Sequence, residues 1–470
     1  MCARKSAVLS TSLQLLVAAS TLASAHRPQP RDSKTWQQQA TLYGDAECVP
    51  YDFPPVSNIV HTYPQIWEIA DLSNPSIDPE VVALFKKINS SIPNIPPKGT
   101  PNGVWNGGYN GGQDPDCWWT YTGCDKPKDQ SLPADLTQCN EPRTWGYTLD
   151  DGPNCTHNAF YDYLKSQNQK ATLFYIGSNV LDWPLEAQRG LADGHEIMAH
   201  TWSHNYMTGL TNEQAFAELY FSKKAIKDVV GVTVRGWRPP FGDVDDRIRY
   251  IANALDMQTV LWNEDTDDWR WVNVGIPAIE QNYEDIIGNV SAKYSRSGTI
   301  VLSHELNNET MALSQQFLPQ IGKAYTGGVM PIAVCTNNTA PYLETEGYTY
   351  PNYEQWVSGT TSVSLAAPTA AGKGHVLQFA SNSTSSSAVP SSTSGNGSSS
   401  SSAVATGSGK PTSSSSASRT DRSASAANQS EPSSSATKAA DHHNSAPGLK
   451  TNFGTNVVAL IIGALAVVLF

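Results

Sequence analysis

Short runs of β-forming residues alternate with helical patterns between residues 141 and 345, and this alternation constrains the fold more than any other feature. Strands that alternate with helices form parallel sheets, because each parallel connection needs a crossover that a helix supplies. We therefore expect an α/β fold, either an open doubly wound sheet or a (β/α) barrel. The predicted strands are residues 145–149, 171–176, 196–199, 259–262, 299–302 and 330–334, and the predicted helices are residues 158–167, 185–191, 213–229 and 246–255.

The rest of the 470-residue chain divides by composition. Residues 26–140 are rich in Pro, Asn, Gly and Trp and lack clear periodicity. We interpret them as a loop-rich extension tied by disulfides, with an independent sugar-binding module as the alternative. Residues 360–444 consist mainly of Ser, Thr, Ala and Gly, and their apolar content is too low to offset the entropy lost on ordering. We predict that they form a Ser/Thr-rich, O-glycosylated stalk.

Both ends of the chain carry patterns typical of targeting signals. Residues 1–25 combine basic residues, an apolar stretch and a small-residue cleavage pattern ending at Ala25, as in a secretory signal peptide. Near the C-terminus, small residues begin at Asn444 and are followed by a polar spacer. Residues 445–470 then end in an uncharged apolar run. This order predicts a GPI-anchor signal with Asn444 as the attachment site. The alternatives are a transmembrane helix at the N-terminus and a short anchor helix at the C-terminus.

Cysteines and glycosylation sequons agree with secretion to the outer face of a membrane. Of the seven cysteines, Cys2 leaves with the signal peptide. An even remainder suggests three disulfides, although about 15 pairings are open to six cysteines. The remaining cysteines are Cys48, Cys117, Cys124, Cys139, Cys155 and Cys335, and the predicted N-glycosylation sites are Asn89, Asn154, Asn289, Asn308, Asn337, Asn382, Asn396 and Asn428.

Charge and missing motifs exclude several classes of function. The formal net charge is −12, from 31 Lys and Arg against 43 Asp and Glu, so no basic field is available to hold nucleic acid. We therefore expect no nucleic-acid partner. The sequence also contains no dinucleotide-binding glycine motif after a strand, no phosphate-binding loop and no Gly-x-Ser-x-Gly elbow. Nucleotide chemistry and the usual serine hydrolysis are therefore disfavoured.

Five groups of residues could do chemistry, and four of them place carboxylates or imidazoles at or after the end of a predicted strand, while the fifth is a proline turn that begins with Arg238. Two imidazoles four residues apart can converge on one ion from a helical turn, and one Asp then leaves open positions for water and substrate, as a catalytic zinc requires. Each group alone also fits a structural role, such as turn formation at Asp-Gly-Pro or at Arg-Pro-Pro. The groups are T-L-D-D-G-P at 148–153, H-T-W-S-H at 200–204, R-P-P-F-G at 238–242, D-T-D-D-W at 265–269 and L-S-H at 302–304.

These five groups, in this order across about residues 141–340, resemble the motifs of the polysaccharide deacetylase family, which is carbohydrate esterase family 4 with its NodB homology domain. The resemblance implies that residues 141–345 form a distorted (β/α) barrel with its site at the C-terminal ends of the strands. With the signal, stalk and anchor patterns, the whole chain resembles the fungal chitin deacetylases within that family.

The resemblance also implies roles for individual residues. Phe241 occupies a position where many members have Tyr, and the family uses the backbone N–H there for the oxyanion, so we expect no loss of activity. The implied metal ligands are Asp151, His200 and His204; the implied catalytic residues are Asp150 as general base, His304 as general acid, Arg238 as partner of Asp150 and Asp268 as partner of His304; and the implied substrate-binding residues are Phe241, Trp269 and Leu302.

The implied activity is metal-dependent hydrolysis of the N-acetyl groups of β-1,4-linked N-acetylglucosamine in chitin, which gives chitosan and acetate. The expected cofactor is one divalent ion, Zn²⁺ or alternatively Co²⁺. The expected partners are chitin or N-acetylglucosamine oligomers, cell-wall polysaccharide and, through the GPI anchor, the outer membrane leaflet. Two alternatives stay open: a non-catalytic chitin-binding or wall-organising glycoprotein, and a deacetylase of another acetylated polysaccharide. The oligomeric state is not predicted.

Overall fold

A computed structural model describes residues 34–105 and 107–370, together with residues 377 and 379. The predicted signal peptide and GPI-anchor signal lie outside these residues, as do Asn382, Asn396, Asn428, Asn444 and most of the predicted stalk. Within the described part of the chain, no helix combines the length and the apolar character needed to cross a membrane.

One parallel sheet forms the centre of the fold. Every pair of neighbouring strands in it runs parallel. The strand order is β5-β4-β3-β2-β1-β7-β6, and β8 also pairs with β1. The strands are β1 (Thr144–Gly152), β2 (Thr172–Tyr175), β3 (Glu196–Ala199), β4 (Gly236–Trp237), β5 (Gln258–Thr259), β6 (Glu264–Asp265), β7 (Thr299–Leu302) and β8 (Gly328–Met330).

The sheet curves into an incomplete (β/α) barrel, which confirms the predicted fold class. Strands β5 and β6 follow each other in sequence, yet they lie at opposite ends of the strand order. Beyond β5, Leu136 of the N-terminal extension forms a parallel bridge with Val260. The extension therefore adds to the sheet next to the place where the barrel stays open.

Helices cover the sheet, and the longest of them shows how the sequence defines its ends. Helix α8 begins with a capping box, in which Thr211 and Gln214 exchange side-chain and backbone hydrogen bonds. It ends at Gly231, whose φ of 98° is a left-handed conformation that glycine adopts without a Cβ clash. The α-helices between β1 and residue 340 are α5 (Asn158–Ser166), α6 (Gly177–Asp182), α7 (Pro184–Ala192), α8 (Asn212–Val230), α9 (Asp246–Ala254), α10 (Trp271–Val274), α11 (Ile276–Gly288), α12 (Val290–Lys293), α13 (Asn308–Ala324) and α14 (Ile332–Cys335).

The N-terminal extension packs on this sheet and its helices. Tyr63 of the extension is buried, stacks on Trp202 at a centroid distance of 5.5 Å, and donates a hydrogen bond to Asp228. Phe85 likewise contacts Phe216 of α8. The extension therefore shares the hydrophobic core of the sheet and its helices. Its helices are α1 (Trp36–Gln39), α2 (Pro54–Ser57), α3 (Pro79–Asn89) and α4 (Trp119–Thr122).

Three disulfides are present, as the cysteine count predicts, and the structure selects one pairing. Cys48–Cys155 joins the extension to the loop after β1, and Cys139–Cys335 joins the segment before β1 to α14. Cys117–Cys124 closes a short loop within the extension. Two of the three bonds therefore link parts of the chain that are far apart in sequence.

The C-terminal part of the described chain differs from the sequence prediction in two places. The predicted strand at residues 330–334 is wrong, because β8 ends at Met330 and α14 begins at Ile332 after Pro331. A short apolar run has no periodicity that separates a buried strand from a buried helix. The first residues of the predicted stalk contain strand β10 (Ser364–Leu365), which pairs with β9 (Tyr348–Thr349) after helix α15 (Tyr353–Ser358).

Candidate active site

The five sequence groups lie together at the C-terminal ends of the parallel strands. Parallel strands all present their carboxyl ends at one edge of the sheet, so residues far apart in sequence meet there. Asp150 and Asp151 lie in β1, His200 and His204 follow β3, Arg238 and Phe241 follow β4, Asp268 and Trp269 follow β6, and His304 follows β7.

Asp151, His200 and His204 form a cluster that fits a metal ion. Asp151 Oδ1 lies 3.1 Å from His204 Nε2 and 3.4 Å from His200 Nε2. One ligand atom from each residue lies within 4.8 Å of the others. Asp151 Oδ1 is buried and has no well-directed hydrogen bond in the structure. The three atoms therefore face a common point, and two imidazoles with one carboxylate suit zinc or cobalt.

Electrostatics in this cluster favour a charged carboxylate. Burial alone would raise the pKa of Asp151, but the neighbouring His204 and His200 hold it well below its usual range. The Nδ1 of His200 lies 2.8 Å from the carbonyl oxygen of Arg238. Because a carbonyl only accepts, this Nδ1 carries a proton, and loss of the proton on Nε2 leaves a lone pair there that can bind a cation.

The backbone around the cluster is unusual for residues with side chains. Asp151, Thr201 and His204 have φ values of 74°, 64° and 58°, in the left-handed region. The register between β1 and β2 shifts between Asp150 and Gly152. The prediction that the two imidazoles converge from a helical turn is wrong, because residues 200–206 form an irregular loop. Such conformations persist only where surrounding contacts hold them, and they concentrate at functional sites.

A buried carboxylate in α8 holds this loop. Glu218 accepts hydrogen bonds from the backbone N–H groups of Trp202 and Ser203 at 2.9 and 2.8 Å, and from Ser203 Oγ at 2.5 Å. It also accepts one from the N–H of Ala70 in the extension, at 2.9 Å. Glu218 therefore connects residues 200–206, the loop that carries two of the three predicted metal ligands (the metal-ligand loop), with the extension. Nothing in the sequence pattern separates Glu218 from the other residues of α8, and sequence reasoning missed it.

Asp150 is paired with a buried arginine. Arg238 Nη1 donates to Asp150 Oδ1 at 2.7 Å and to Thr148 Oγ1 at 2.8 Å. Arg238 is fully buried, and its guanidinium lies 4.1 Å from the ring centroid of Phe174. The second oxygen of Asp150, Oδ2, lies 3.7 Å from His200 Nε2. One oxygen of Asp150 is therefore held by Arg238, while the other faces the metal-ligand cluster.

His304 is held next to Asp150 by the main chain and oriented by Asp268. Asp150 forms a parallel bridge with His304, with Asp150 N–H donating to Ser303 and Glu305 N–H donating to the carbonyl of Asp150. Asp268 accepts from the backbone N–H of His304 at 2.9 Å and from its Nδ1 at 2.5 Å. Burial alone would lower the pKa of His304, but the carboxylate of Asp268, with Asp151 and Asp150, raises it to about 10. The imidazole is therefore protonated at neutral pH.

The three predicted substrate-binding residues differ in exposure. Phe241 is 44% exposed, and its ring stacks on Tyr206 at a centroid distance of 4.0 Å. Trp269 is 39% exposed at the edge of the site. Leu302 is buried, and its carbonyl oxygen accepts hydrogen bonds from the N–H and Oγ1 of Thr266. Phe241 and Trp269 therefore present surface to a ligand, whereas the Leu302 carbonyl holds the segment that carries Asp268.

Glu305 is a second buried acid that sequence reasoning missed, although it directly follows the L-S-H group. Its Oε2 accepts from Tyr161 at 2.8 Å, and burial raises its pKa to about 8. A Cβ atom on Gly152 would lie 1.8 Å from Glu305 Oε1, so the Asp-Gly turn requires glycine here. Glu305 therefore shapes the turn that follows Asp151.

The described sequon residues differ in their surroundings. Asn89, Asn289, Asn308 and Asn337 are exposed, whereas Asn154 is partly buried and its amide donates to the carbonyl of Glu305. Asn179, which carries no sequon, donates its amide to the backbone oxygen of Asp151 at 2.9 Å. Asn154 and Asn179 therefore both bind main-chain oxygens at the site.

Comparisons with known proteins identify several that are similar to this chain. A family model described as polysaccharide deacetylase matches residues 137–260. Chitin deacetylase 2 of Cryptococcus neoformans var. grubii is 47% identical over 328 residues, which cover 68% of this chain and 71% of that protein. The chitin deacetylase of Amylomyces rouxii is 45% identical over 310 residues, covering 65% of this chain and 72% of that protein. Among solved structures, the chitin deacetylase from Colletotrichum lindemuthianum is 24% identical, with a TM-score of 0.41 over 45% of this chain and 96% of that one.

Proposed function

This chain belongs to the polysaccharide deacetylase family, and from this premise we propose that it hydrolyses the N-acetyl groups of β-1,4-linked N-acetylglucosamine in chitin. The products are chitosan and acetate. The relatives named above are chitin deacetylases at 45% and 47% identity, which favours chitin over other acetylated polysaccharides.

The observation that carries this proposal is the placement of one acid and one base, His304 and Asp150, beside the cluster of Asp151, His200 and His204. Asp150 lies beside the cluster with one oxygen held by Arg238, so it is oriented to take a proton from a water molecule. His304 is protonated at neutral pH, and its imidazole can donate a proton to the departing amine. A non-catalytic chitin-binding protein would need neither group.

The reaction breaks the C–N bond of the acetamide. Asp150 removes a proton from a water molecule while the oxygen of that water attacks the carbonyl carbon. His304 protonates the amide nitrogen as the C–N bond breaks. The backbone N–H of Phe241, in the turn beside His204, is the donor that we assign to the developing oxyanion. A divalent cation held by Asp151, His200 and His204 would polarise the carbonyl and lower the pKa of water. The ligand set favours Zn²⁺, with Co²⁺ as the alternative.

The proposed location is the outer face of the cell membrane and the cell wall. The signal-peptide pattern, the Ser/Thr-rich segment and the GPI pattern around Asn444 support it. The partners in this setting would be chitin, other wall polysaccharide and the outer leaflet. Release of the protein from intact cells by a phosphatidylinositol-specific phospholipase, and loss of that release in Asn444→Gln, would test the anchor. Retention of the Asn444→Gln protein at the surface would contradict it.

The activity is tested by acetate release from N-acetylglucosamine oligomers. Wild-type protein should release acetate, and a chelator should abolish the release until zinc is restored. Asp150→Asn and His304→Ala should each lower kcat by at least about 100-fold, in the range found for general acid–base groups. Asp267→Asn is a matched control, because Asp267 is partly exposed and pairs with Arg270. Wild-type rates in both site variants would contradict the assigned roles.

A further inference from the structure

Trp67 is an exposed tryptophan in an unusual backbone conformation. It lies in the N-terminal extension, is 47% exposed, and has a φ of 67°. A bulky residue in the left-handed region is rare, since its Cβ crowds the following backbone. Neither the predicted motifs nor the proposed mechanism uses this residue.

Hydrogen bonds attach Trp67 and its neighbours to two elements next to the site. Its backbone N–H donates to Ser178 Oγ at 3.0 Å, and the next residue, Asn179, donates to the backbone oxygen of Asp151 at 2.9 Å. The carbonyl of Gln65 accepts from the indole nitrogen of Trp202, which lies between the two histidine ligands, at 3.1 Å. The segment that carries Trp67 is therefore bonded both to the start of α6 and to the metal-ligand loop.

The indole ring itself is held in place. Trp67 Nε1 donates to Asp182 Oδ2 at the end of α6, at 2.9 Å. A tryptophan has two side-chain torsions, and this hydrogen bond at the ring edge restricts both while about half of the residue stays exposed. The exposed surface is therefore a rigid apolar plane with little entropy left to lose on binding.

We propose that Trp67 is a binding platform for a sugar residue of the chitin chain other than the residue being deacetylated. This inference rests on the proposed function. A β-1,4-linked N-acetylglucosamine ring has an apolar face of axial C–H groups, which packs well on an indole plane. Trp67 is bonded to α6, which follows β2, whereas Trp269 follows β6 at the far end of the strand order. Trp67 thus adds a contact on a different part of the rim, and the substrate class is an oligomer or polymer.

The positive φ of Trp67 offers a variant that removes the ring and keeps the backbone. Glycine adopts this conformation without strain, so Trp67→Gly should fold and retain its melting temperature. Trp67→Phe keeps an aromatic face but removes the hydrogen bond to Asp182. Tyr43→Ala is the matched control, because Tyr43 is another exposed aromatic residue of the extension, is 53% exposed, and donates to Asp162 on α5.

The measured quantity is the ratio of kcat/KM for the hexamer of N-acetylglucosamine to kcat/KM for the dimer. Losing one sugar contact with an indole removes apolar burial, and we expect this ratio to fall about tenfold in Trp67→Gly. It should fall less in Trp67→Phe and stay at the wild-type value in Tyr43→Ala. A wild-type ratio in Trp67→Gly would overturn the proposal. An equal loss on both substrates with a lowered melting temperature would also overturn it, because Trp67 would then be structural.

A binding measurement separates this inference from the proposed function. Isothermal titration calorimetry of the chelator-treated protein with the hexamer measures binding and needs no catalysis. Weaker hexamer binding by Trp67→Gly than by wild type would support the platform even if neither protein released acetate. Equal binding by the two proteins would overturn the platform even if wild type released acetate.

Discussion

At the residue scale, the His304–Asp268 pair decides the protonation state of the proposed general acid. Burial disfavours the charged imidazole, and the carboxylate of Asp268 more than compensates for it. The family resemblance of the sequence implies the pair, and both residues follow strands of the predicted sheet. It does not show that Asp268 also binds the backbone N–H of His304, because that contact depends on how β6 and β7 pair.

The pair predicts a shift in the alkaline limb of the pH profile. His304 is active when protonated, so kcat/KM should fall as pH rises through its pKa of about 10. Asp268→Asn removes the negative charge that stabilises the imidazolium, so the pKa of His304 falls. The alkaline limb should therefore move to lower pH by about one to three units. The measurement is kcat/KM for acetate release against pH. An unmoved limb in Asp268→Asn would show that another group is the acid.

At the scale of elements, the well-predicted parts of the fold are those with strong local signals. Helix α8 has a capping box and a terminal glycine, and its predicted and observed bounds differ by one residue at each end. Strands β4, β5 and β6 have two residues each, too few for any periodicity.

Helices α11 and α13 are missing from the sequence prediction, although they pack against each other. The H-T-W-S-H group predicts His200 and His204 as ligands but does not predict the left-handed loop, because Glu218 holds that loop from another element.

The contact between α8 and the metal-ligand loop predicts that Glu218→Gln weakens metal binding. An amide has one acceptor oxygen and a donor group, so it cannot satisfy the four donors that now face the carboxylate. We expect zinc affinity to fall about 10- to 100-fold, as for other groups that orient metal ligands. Competition with a chromogenic chelator measures this without catalysis.

The control for this variant is Glu213→Gln on the same helix, where the side chain is only partly buried. Its zinc affinity should match that of the wild-type protein. Wild-type zinc affinity in Glu218→Gln would mean that the loop keeps its conformation through other contacts, and the role assigned to Glu218 would be wrong.

At the scale of the whole molecule, the extension and the barrel act as one folded unit. Tyr63 and Phe85 pack in the common core, and Glu218 bonds to both parts. The sequence predicted a disulfide-tied extension, but the pairing of its cysteines and the position of Trp67 beside the site follow only from tertiary packing. Long-range contacts of this kind leave no periodic pattern in the chain.

The disulfides predict a difference in stability between two double variants. Cys48–Cys155 spans 107 residues and Cys117–Cys124 spans 7. In the chain-entropy model the longer loop loses more freedom, so Cys48→Ser with Cys155→Ser should lower the free energy of unfolding by about 2 kcal/mol more than Cys117→Ser with Cys124→Ser. Denaturant unfolding of both variants measures it. Equal losses would show that the Cys48–Cys155 bond does not act through loop closure.

The most direct test of the central claim is mass spectrometry of the products formed from a defined pentamer of N-acetylglucosamine. The geometry of Asp150, His304 and the metal-ligand cluster predicts that acetyl groups are lost while all five sugars stay linked, with an equal amount of acetate released. The reaction should stop on chelation and resume with zinc. An unchanged pentamer in the presence of zinc, or products with fewer sugars, would contradict the claim.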